Sequence, residues 1–221
     1  MNVFNLVIPA ICYICNKRIT DQRDCLCQNC EKYLERKYGI LKAEEKLGQL
    51  YFFKVASIYD FGHISRELIH IYKYRSIKEI GRFFGKKAVE VLKNEYKEFT
   101  AIDGILSVPM HRKRYQERSF DHAHFLCDNI SKSLKITDYS YLLKKNKNSQ
   151  KQSFLDFEAR LKNPLNTFTV KKNNVLPGKT ILLIDDIFTT GATANALCKV
   201  LSENGVKKIY VFTIASGSDP K

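Results

Sequence analysis

The chain has 221 residues, of which 44% are hydrophobic, and it carries a formal net charge of +14. This length and apolar content suffice for one good core with a small appendage, and the absence of repeats or low-complexity tracts excludes a repeat array. The excess of positive charge fits nucleic acid, a pyrophosphate-bearing ligand or a solvated basic surface. Composition alone favours the solvated surface.

The first residues do not match a targeting segment. Residues 3–11 are apolar, but Asn5 and Pro9 interrupt them. The stretch is too short to span a membrane and lacks the basic start and small-residue cleavage site of a signal peptide. We therefore expect a cytoplasmic protein that is not membrane-spanning, with the inner face of the membrane as an alternative location.

Cysteines are concentrated near the N-terminus, where five of the seven fall within the first 30 residues. The pairs Cys12/Cys15 and Cys27/Cys30 each have Cys-x-x-Cys spacing and are separated by eleven residues. Two such pairs predict a four-thiolate site for structural Zn²⁺. Cys25 is an alternative ligand to Cys27, and the odd number of cysteines disfavours a disulfide cluster.

The N-terminal cysteines and the following elements divide the chain into two predicted domains. We expect residues 1–50 to form a zinc-ribbon domain and residues 51–221 to form the main domain. Removal of the metal is expected to unfold the first domain and leave the main sheet largely intact, because a structural zinc site contributes folding energy locally.

Strands and helices are predicted to alternate after residue 50. Strands are predicted at 54–61, 102–108, 141–143, 168–170, 181–184 and 208–214, and helices at 65–74, 77–96, 120–134 and from 192 onward. The polar residues 144–165 predict a loop. This alternation is typical of an α/β fold, a parallel sheet flanked by helices.

Two segments of the main domain are strongly basic. Residues 66–97 hold nine Lys or Arg against four Glu, with Tyr72, Tyr74, Phe83 and Phe84 interleaved. Residues 144–151 hold four Lys and no acid. Basic residues alternating with aromatic residues suit nucleic acid, although a solvated face explains the same charge.

A cluster of cations follows the strand predicted at 102–108. The cluster consists of Arg112, Lys113, Arg114 and Arg118. Because arginine binds phosphate in a bidentate manner, this loop is a candidate pyrophosphate site, and an exposed basic loop is the alternative. His111 and His122 are candidates for phosphate or proton chemistry, or ordinary polar loop residues.

The segment 181–193 carries the most specific pattern in the chain. An apolar strand leads into Asp185 and Asp186, and an amphipathic helix follows a short turn. The turn offers hydroxyl groups, a glycine and free helix N–H groups, at Thr189, Thr190, Gly191, Ala192 and Thr193. A diol- or cation-binding acid pair beside a phosphate cradle suits a ribose 5-phosphate, whereas simple helix capping is the alternative.

Residues 181–193 closely resemble the phosphoribosyl pyrophosphate (PRPP) binding motif of type I phosphoribosyltransferases. The chain as a whole resembles the ComF family, in which a zinc ribbon is joined to a phosphoribosyltransferase-like domain. The matching blocks are the cysteine pairs at 12–30, Tyr59/Gly62/Arg66/Ile69/Lys73-Tyr74, residues 108–114 with Glu117, Arg118 and Phe120, the spaced Gln152, Leu155, Arg160 and Asn163, and the PRPP motif. Residues 119–122 read Ser-Phe-Asp-His where the family usually has Gly-Phe-Asn-Gln.

This resemblance implies how PRPP and Mg²⁺ would be held. The acid pair would bind the ribose hydroxyls, residues 189–193 would hold the 5-phosphate, and Mg²⁺ with Arg112 and Arg114 would neutralise the pyrophosphate. The acid pair and these two arginines are the expected catalytic residues. A mobile loop near 144–163 is expected to deliver Gln152 and Arg160.

The resemblance implies two functions of different classes. In the first, the protein acts in DNA uptake during natural transformation, through PRPP-responsive binding of single-stranded DNA or of protein partners such as a DNA-uptake helicase or channel proteins. In the second, it is a Mg²⁺-dependent phosphoribosyltransferase, similar to an amidophosphoribosyltransferase, with an unidentified nitrogen acceptor. Thr189 replaces the Asp of purine salvage enzymes, which disfavours a 6-oxopurine acceptor.

Overall fold

The computed structural model describes residues 10–19, 24–34, 49–99, 101–118, 120–146, 167–172 and 174–217. The helices in these ranges are α1 (Gln28–Lys32), α2 (His63–Arg75), α3 (Lys78–Asn94), α4 (Arg112–Arg118), α5 (His122–Leu134) and α6 (Ala192–Glu203). The strands are β1 (Lys54–Asp60), β2 (Gly104–Ser107), β3 (Leu143–Lys145), β4 (Phe168–Val170), β5 (Thr180–Phe188) and β6 (Lys208–Ser216). Short 3₁₀ helices cover Lys97–Phe99 and Ser140–Leu142.

A parallel sheet of four strands, in the order β1-β6-β5-β2, forms the centre of the main domain. Its inner strands β5 and β6 are almost continuously apolar, as expected for strands covered on both faces. Strands β3 and β4 pair separately as a short antiparallel ribbon. The predicted α/β class with a parallel sheet is confirmed.

Side chains on the two faces of the sheet enter two separate apolar layers. Leu182 and Ile184 pack with residues of α2, α3 and α5, whereas Ile181 and Leu183 pack with residues of α6 and the β3–β4 ribbon. Alternation along a strand produces this division, because successive side chains point to opposite faces. Asp185 and Asp186 follow directly on these residues in the same strand, so their side chains also point to opposite faces of the sheet.

The cysteine-rich module packs on the layer formed by α2, α3 and α5. Cys12, Leu26 and Cys30 belong to the same apolar cluster as Phe84 of α3. An ion pair of 2.8 Å between Lys87 Nζ and Glu31 Oε1 joins α3 to α1. The module therefore shares its core with the main domain, and the boundary near residue 50 stays a prediction.

The prediction of a strand at 141–143 was wrong. Residues 140–142 form a 3₁₀ helix, and the strand begins at Leu143. The Asp138 carboxylate accepts a hydrogen bond of 2.8 Å from the Ser140 N–H, and such a local side-chain contact favours a turn over an extended strand.

The basic segment after β2 is a helix, α4, rather than the predicted loop. Its residues are Arg, Lys, Gln and Glu around one Tyr, and the charged and amide residues among them are good helix formers. The helix presents Arg112 and Lys113 to solvent and leaves Arg114 and Arg118 half-buried. No helix in the described ranges is long and apolar enough to cross a membrane.

Candidate functional site

The acid pair lies inside β5, which continues beyond the predicted strand to Phe188. Asp185 is opposite Thr213 of β6, near the carboxyl end of the sheet. Ligands of open α/β folds bind beyond this edge. The two carboxylates therefore lie where a ligand site is expected.

Asp186 is held by two side chains from neighbouring helices. Its Oδ2 atom lies 2.8 Å from Lys73 Nζ of α2 and 2.6 Å from His122 Nε2 of α5. Burial would raise the pKa of Asp186, but the Lys73 charge and the His122 hydrogen bond outweigh it and hold the pKa below its usual value. Asp186 is thus a partly buried carboxylate, 13% exposed, that stays ionised.

Asp185 has the opposite electrostatic setting. Burial and the adjacent charge of Asp186 raise its pKa to about 7, although its Oδ1 accepts a hydrogen bond of 2.8 Å from the Asp186 N–H. Two adjacent, partly buried carboxylates do not both ionise freely, because each disfavours the charge of the other. Asp185 therefore keeps its proton to a higher pH than an ordinary aspartate does.

An open cleft next to the acid pair is lined by cations. It encloses about 720 Å³, open solvent included. The charged side chains that line it, besides the acid pair, are Lys73, Arg114, Arg118 and Lys145. Burial and the nearby Arg114 lower the pKa of Lys145, and Arg114 Nε is buried with no hydrogen-bond partner among the described residues. These features fit a cleft that receives a multiply charged anion.

A second, open cavity of about 320 Å³, open solvent included, is formed by the turn between β5 and α6. Gly191 has φ 80° at the N-cap of α6, a left-handed conformation that favours glycine. The turn exposes the Thr189 and Thr193 hydroxyls near the helix N-terminus, where N–H groups and the helix dipole favour an anion. Asp185 and Thr193 line both cavities and therefore connect them.

The predicted ligand residues are distributed unevenly around these cavities. His111, Arg114 and Arg118 line the cleft, and residues 189–193 line the second cavity. Arg112 and Lys113 are exposed on α4 and do not line either cavity. Gln152 and Arg160, with most of the loop predicted at 144–163, lie outside the described residues.

Two lysines of the cleft were not predicted as site residues. Lys73 comes from α2, and the sequence indicated it only as part of a block of the family resemblance, with no role assigned to it. Lys145 comes from β3, inside the segment that was predicted as a loop. The role of His122 was left open by the sequence; Tyr72 Oη donates a hydrogen bond of 2.7 Å to its carbonyl oxygen, which helps fix its position.

The four predicted zinc ligands lie together. The Sγ atoms of Cys12, Cys15, Cys27 and Cys30 are all within 4.8 Å of one another, and Cys15 and Cys27 are 3.7 Å apart. Tetrahedral Zn²⁺ with Zn–S bonds of about 2.3 Å requires sulfur atoms about 3.8 Å apart, so this cluster could bind a metal such as zinc. Cys25 is fully buried outside the cluster, and burial raises the pKa of its thiol to about 12.

The sequence is similar to those of proteins named as competence or DNA utilization proteins. Competence protein F of Haemophilus influenzae is 31% identical over 114 residues, which are 51% of this chain and 50% of that protein. Competence protein ComFC of Bacillus subtilis is 26% identical over 195 residues, 88% of this chain and 72% of that protein. The chain has ComF-family homologues over most of its length. DNA utilization protein YhgH of Escherichia coli K12 is 26% identical over 73% of this chain and 71% of that protein.

Two solved structures resemble part of the chain at low sequence identity. The glutamine PRPP amidotransferase from B. subtilis, complexed with ADP and GMP, covers 64% of this chain and 29% of its own, with 15% identity and a TM-score of 0.44. A purine phosphoribosyltransferase from Pyrococcus horikoshii covers 61% of this chain and 83% of its own, with 14% identity and a TM-score of 0.37. No protein-family model matches the chain.

Proposed function

We propose that this protein binds PRPP at the carboxyl edge of its sheet and acts in DNA uptake through PRPP-responsive binding of single-stranded DNA or protein partners. The observation that carries the ligand is the position of Asp185, which lines both the cationic cleft and the hydroxyl-rich turn. A ribose between a phosphate and a pyrophosphate requires this order of groups.

PRPP would be held by three sets of groups. The turn at 189–193 and the N-terminus of α6 would bind the 5-phosphate. Asp185 would accept hydrogen bonds from the ribose hydroxyls. Arg114, Arg118 and Lys145 would face the pyrophosphate, for which arginine provides paired donors. Mg²⁺ bound with the ligand would supply further neutralisation of the pyrophosphate charge.

Relatives named as competence and DNA utilization proteins support a role in DNA uptake. Structural Zn²⁺ in the Cys12, Cys15, Cys27 and Cys30 site belongs to the same proposal. Four thiolates leave no open coordination position, so this metal would stabilise the module rather than take part in chemistry.

The second candidate function is phosphoribosyl transfer to a nitrogen acceptor. The raised pKa of Asp185, about 7, favours it, because a group with this pKa accepts a proton efficiently at neutral pH. The test measures PRPP consumption with ammonia, glutamine or a nucleobase as acceptor. Consumption with any of these acceptors that is lost when Asp185 is replaced would establish an enzyme. Binding of PRPP without turnover of these acceptors would leave the regulatory function.

The proposal is tested by calorimetric titration of PRPP with Mg²⁺. We expect saturable binding by the natural chain and its loss in the Asp185→Asn/Asp186→Asn double variant, because the ribose would lose its charged acceptors. Lys132→Ala serves as the control, since Lys132 is exposed and pairs with Asp128 on α5. Equal binding by all three proteins, or no binding by the folded natural chain, would contradict the proposed ligand.

A further inference from the structure

The edge of the sheet opposite the acid pair carries a row of lysines. Lys54 and Lys208 are the first residues of β1 and β6, and Lys179 directly precedes β5. Because the strands are parallel, these residues share the amino edge. The N–H groups of Lys207 and Lys208 donate hydrogen bonds of 2.9 and 3.3 Å to the Lys179 carbonyl oxygen, which keeps the row together.

Aromatic rings alternate with these lysines. Lys208 Nζ lies 3.6 Å from the ring centroid of Phe53, whose side chain is 58% exposed. At the other end of the row, Lys179 Nζ lies 5.8 Å from the ring centroid of Tyr139. The Tyr139 ring covers Gly104, where any side chain would collide with it. We call Phe53, Lys54, Tyr139, Lys179, Lys207 and Lys208 the amino-edge strip.

The amino-edge strip has an excess of positive charge. Lys54 pairs with Glu98 at 2.9 Å. Lys179, Lys207 and Lys208 have no ion-pair partner within the ranges that the structure describes. Three lysines without a direct ion pair, beside the exposed ring of Phe53 and the half-buried ring of Tyr139, match a ligand that has both phosphates and unpaired bases.

We propose that the amino-edge strip binds single-stranded nucleic acid, as the DNA-binding surface of this protein. The inference rests on the DNA part of the proposed function and assigns a location to it. The lysines would contact successive phosphates, and bases would stack on Phe53 and Tyr139. Stacking of a base on an exposed ring is stronger than an exposed cation–π contact. A base would therefore displace Lys208 from the Phe53 ring, and the displaced lysine would contact a phosphate.

The basic segment 66–97 offers a weaker surface for the same ligand. Two of its four interleaved rings, Tyr72 and Phe84, are fully buried and cannot stack on bases. Tyr74 is exposed, but its ring and hydroxyl contact Arg118, which lines the cleft assigned to PRPP. Half of the aromatic residues that the sequence indicated for nucleic acid are therefore core residues.

The location predicts that the two ligands bind independently in space. From Lys179 to Asp185, β5 rises about 20 Å at ~3.3 Å per residue. DNA on the amino-edge strip would therefore not occupy the cleft, and PRPP would not compete with it directly.

The experiment measures fluorescence anisotropy of a labelled oligothymidine of about 20 nucleotides with the full chain prepared with Zn²⁺. We expect the Lys179→Ala/Lys207→Ala/Lys208→Ala variant to lose affinity at least tenfold and to lower the salt slope by about 2, since single strands release roughly 0.7 counterions per contact. Phe53→Ala should lose affinity by about tenfold. The matched control removes three exposed lysines of α3, as Lys78→Ala/Lys86→Ala/Lys93→Ala, and should bind as the natural chain does.

Three outcomes would overturn the inference. Loss of affinity in the α3 variant but not in the strip variants would place DNA elsewhere and leave the proposed function intact. Equal affinity for a duplex of the same length would exclude base stacking. No binding of oligothymidine by the natural chain would remove the DNA part of the proposed function as well, while the PRPP titration would still report separately on the cleft.

Discussion

Asp185 and Asp186 are adjacent in sequence but differ in their electrostatic surroundings. Lys73 and His122 both contact Asp186, so its negative charge is stabilised. Asp185 receives a backbone N–H and the repulsion of Asp186, and its pKa rises to about 7. One residue thus holds a fixed charge while its neighbour gains or loses a proton near neutral pH.

Asp185→Asn should stabilise the fold at pH 8 and have little effect at pH 4. The pKa of Asp185 is higher in the folded chain than its ordinary value of 3.8, so folding favours the protonated form. Stability is therefore lost as the pH rises from about 4 to about 7, and Asn cannot lose that proton. A shift of one pKa unit corresponds to about 1.4 kcal/mol. Because the folded chain relaxes around the charge, we expect a smaller stabilisation than this conversion gives, on the order of 2 kcal/mol at pH 8. Urea unfolding at pH 8 and pH 4 measures it.

Asp186→Asn is the matched control for this measurement. It leaves Lys73 and His122 without their carboxylate partner and should lower the free energy of unfolding at pH 8. If both Asn variants were destabilised equally at pH 8, the two carboxylates would share one environment. That result would contradict the difference described for the pair.

The sequence predicted the acid pair but not its partners. Asp185 and Asp186 follow an apolar strand and precede a glycine-containing turn, so local pattern was sufficient to locate them. Lys73 lies more than a hundred positions earlier in the chain, and its contact with Asp186 depends on how α2 packs against the sheet. Tertiary packing of this kind leaves no signature in a local pattern.

At the scale of secondary-structure elements, α4 separates four cations that are close in sequence. A loop would have let all four side chains approach one ligand. As a helix, the segment directs residues by their angular position, so Arg114 and Arg118 line the cleft while Arg112 is exposed. Burial within α4 therefore distinguishes which arginine can contact a ligand.

Arg114→Ala should weaken PRPP binding about tenfold or more, and Arg112→Ala by less than about twofold. Hydrogen bonds to charged groups contribute about 1.5–3 kcal/mol, and Arg114 lines the cleft with a buried Nε atom that has no partner among the described residues. Calorimetric titration of both variants measures the difference. Equal losses would mean that α4 reorganises when the ligand binds.

The strands and long helices were predicted well, and the short polar elements were not. The strand β1, from Lys54 to Asp60, and the long helix α3 follow from apolar runs and helical periodicity. Helix α4 and the 3₁₀ helix at 140–142 have no apolar periodicity, since their residues are mostly solvent-facing. Their conformation is set by helix propensity and side-chain hydrogen bonds.

At the scale of the whole molecule, the cysteine module and the main domain share one apolar layer. Cys12, Leu26 and Leu34 belong to the cluster that contains Leu92 and Phe99. Loss of the module would expose this layer, because apolar surface on α3 would lose its cover. The expectation that metal removal leaves the sheet largely intact thus needs a direct measurement.

Metal removal should lower the melting temperature of the main domain by about 5 °C or more, since each lost kcal/mol shifts a domain of this size by about 2–4 °C. Far-UV circular dichroism with and without a chelator measures it. Cys27→Ser should lose bound Zn²⁺, whereas Cys25→Ala should keep about one ion per chain, because only Cys27 is in the cluster. An unchanged main transition after chelation would show that the module folds independently.

The strand order has a consequence for synthesis on the ribosome. β6 is the last strand in sequence among the described residues, yet it lies inside the sheet between β1 and β5. The partner of β1 is therefore made about 150 residues after β1, because Lys54 pairs with Tyr210. Until β6 is made, β1 and later β5 each present an open edge, so the partly synthesised chain is exposed to mispairing with other chains.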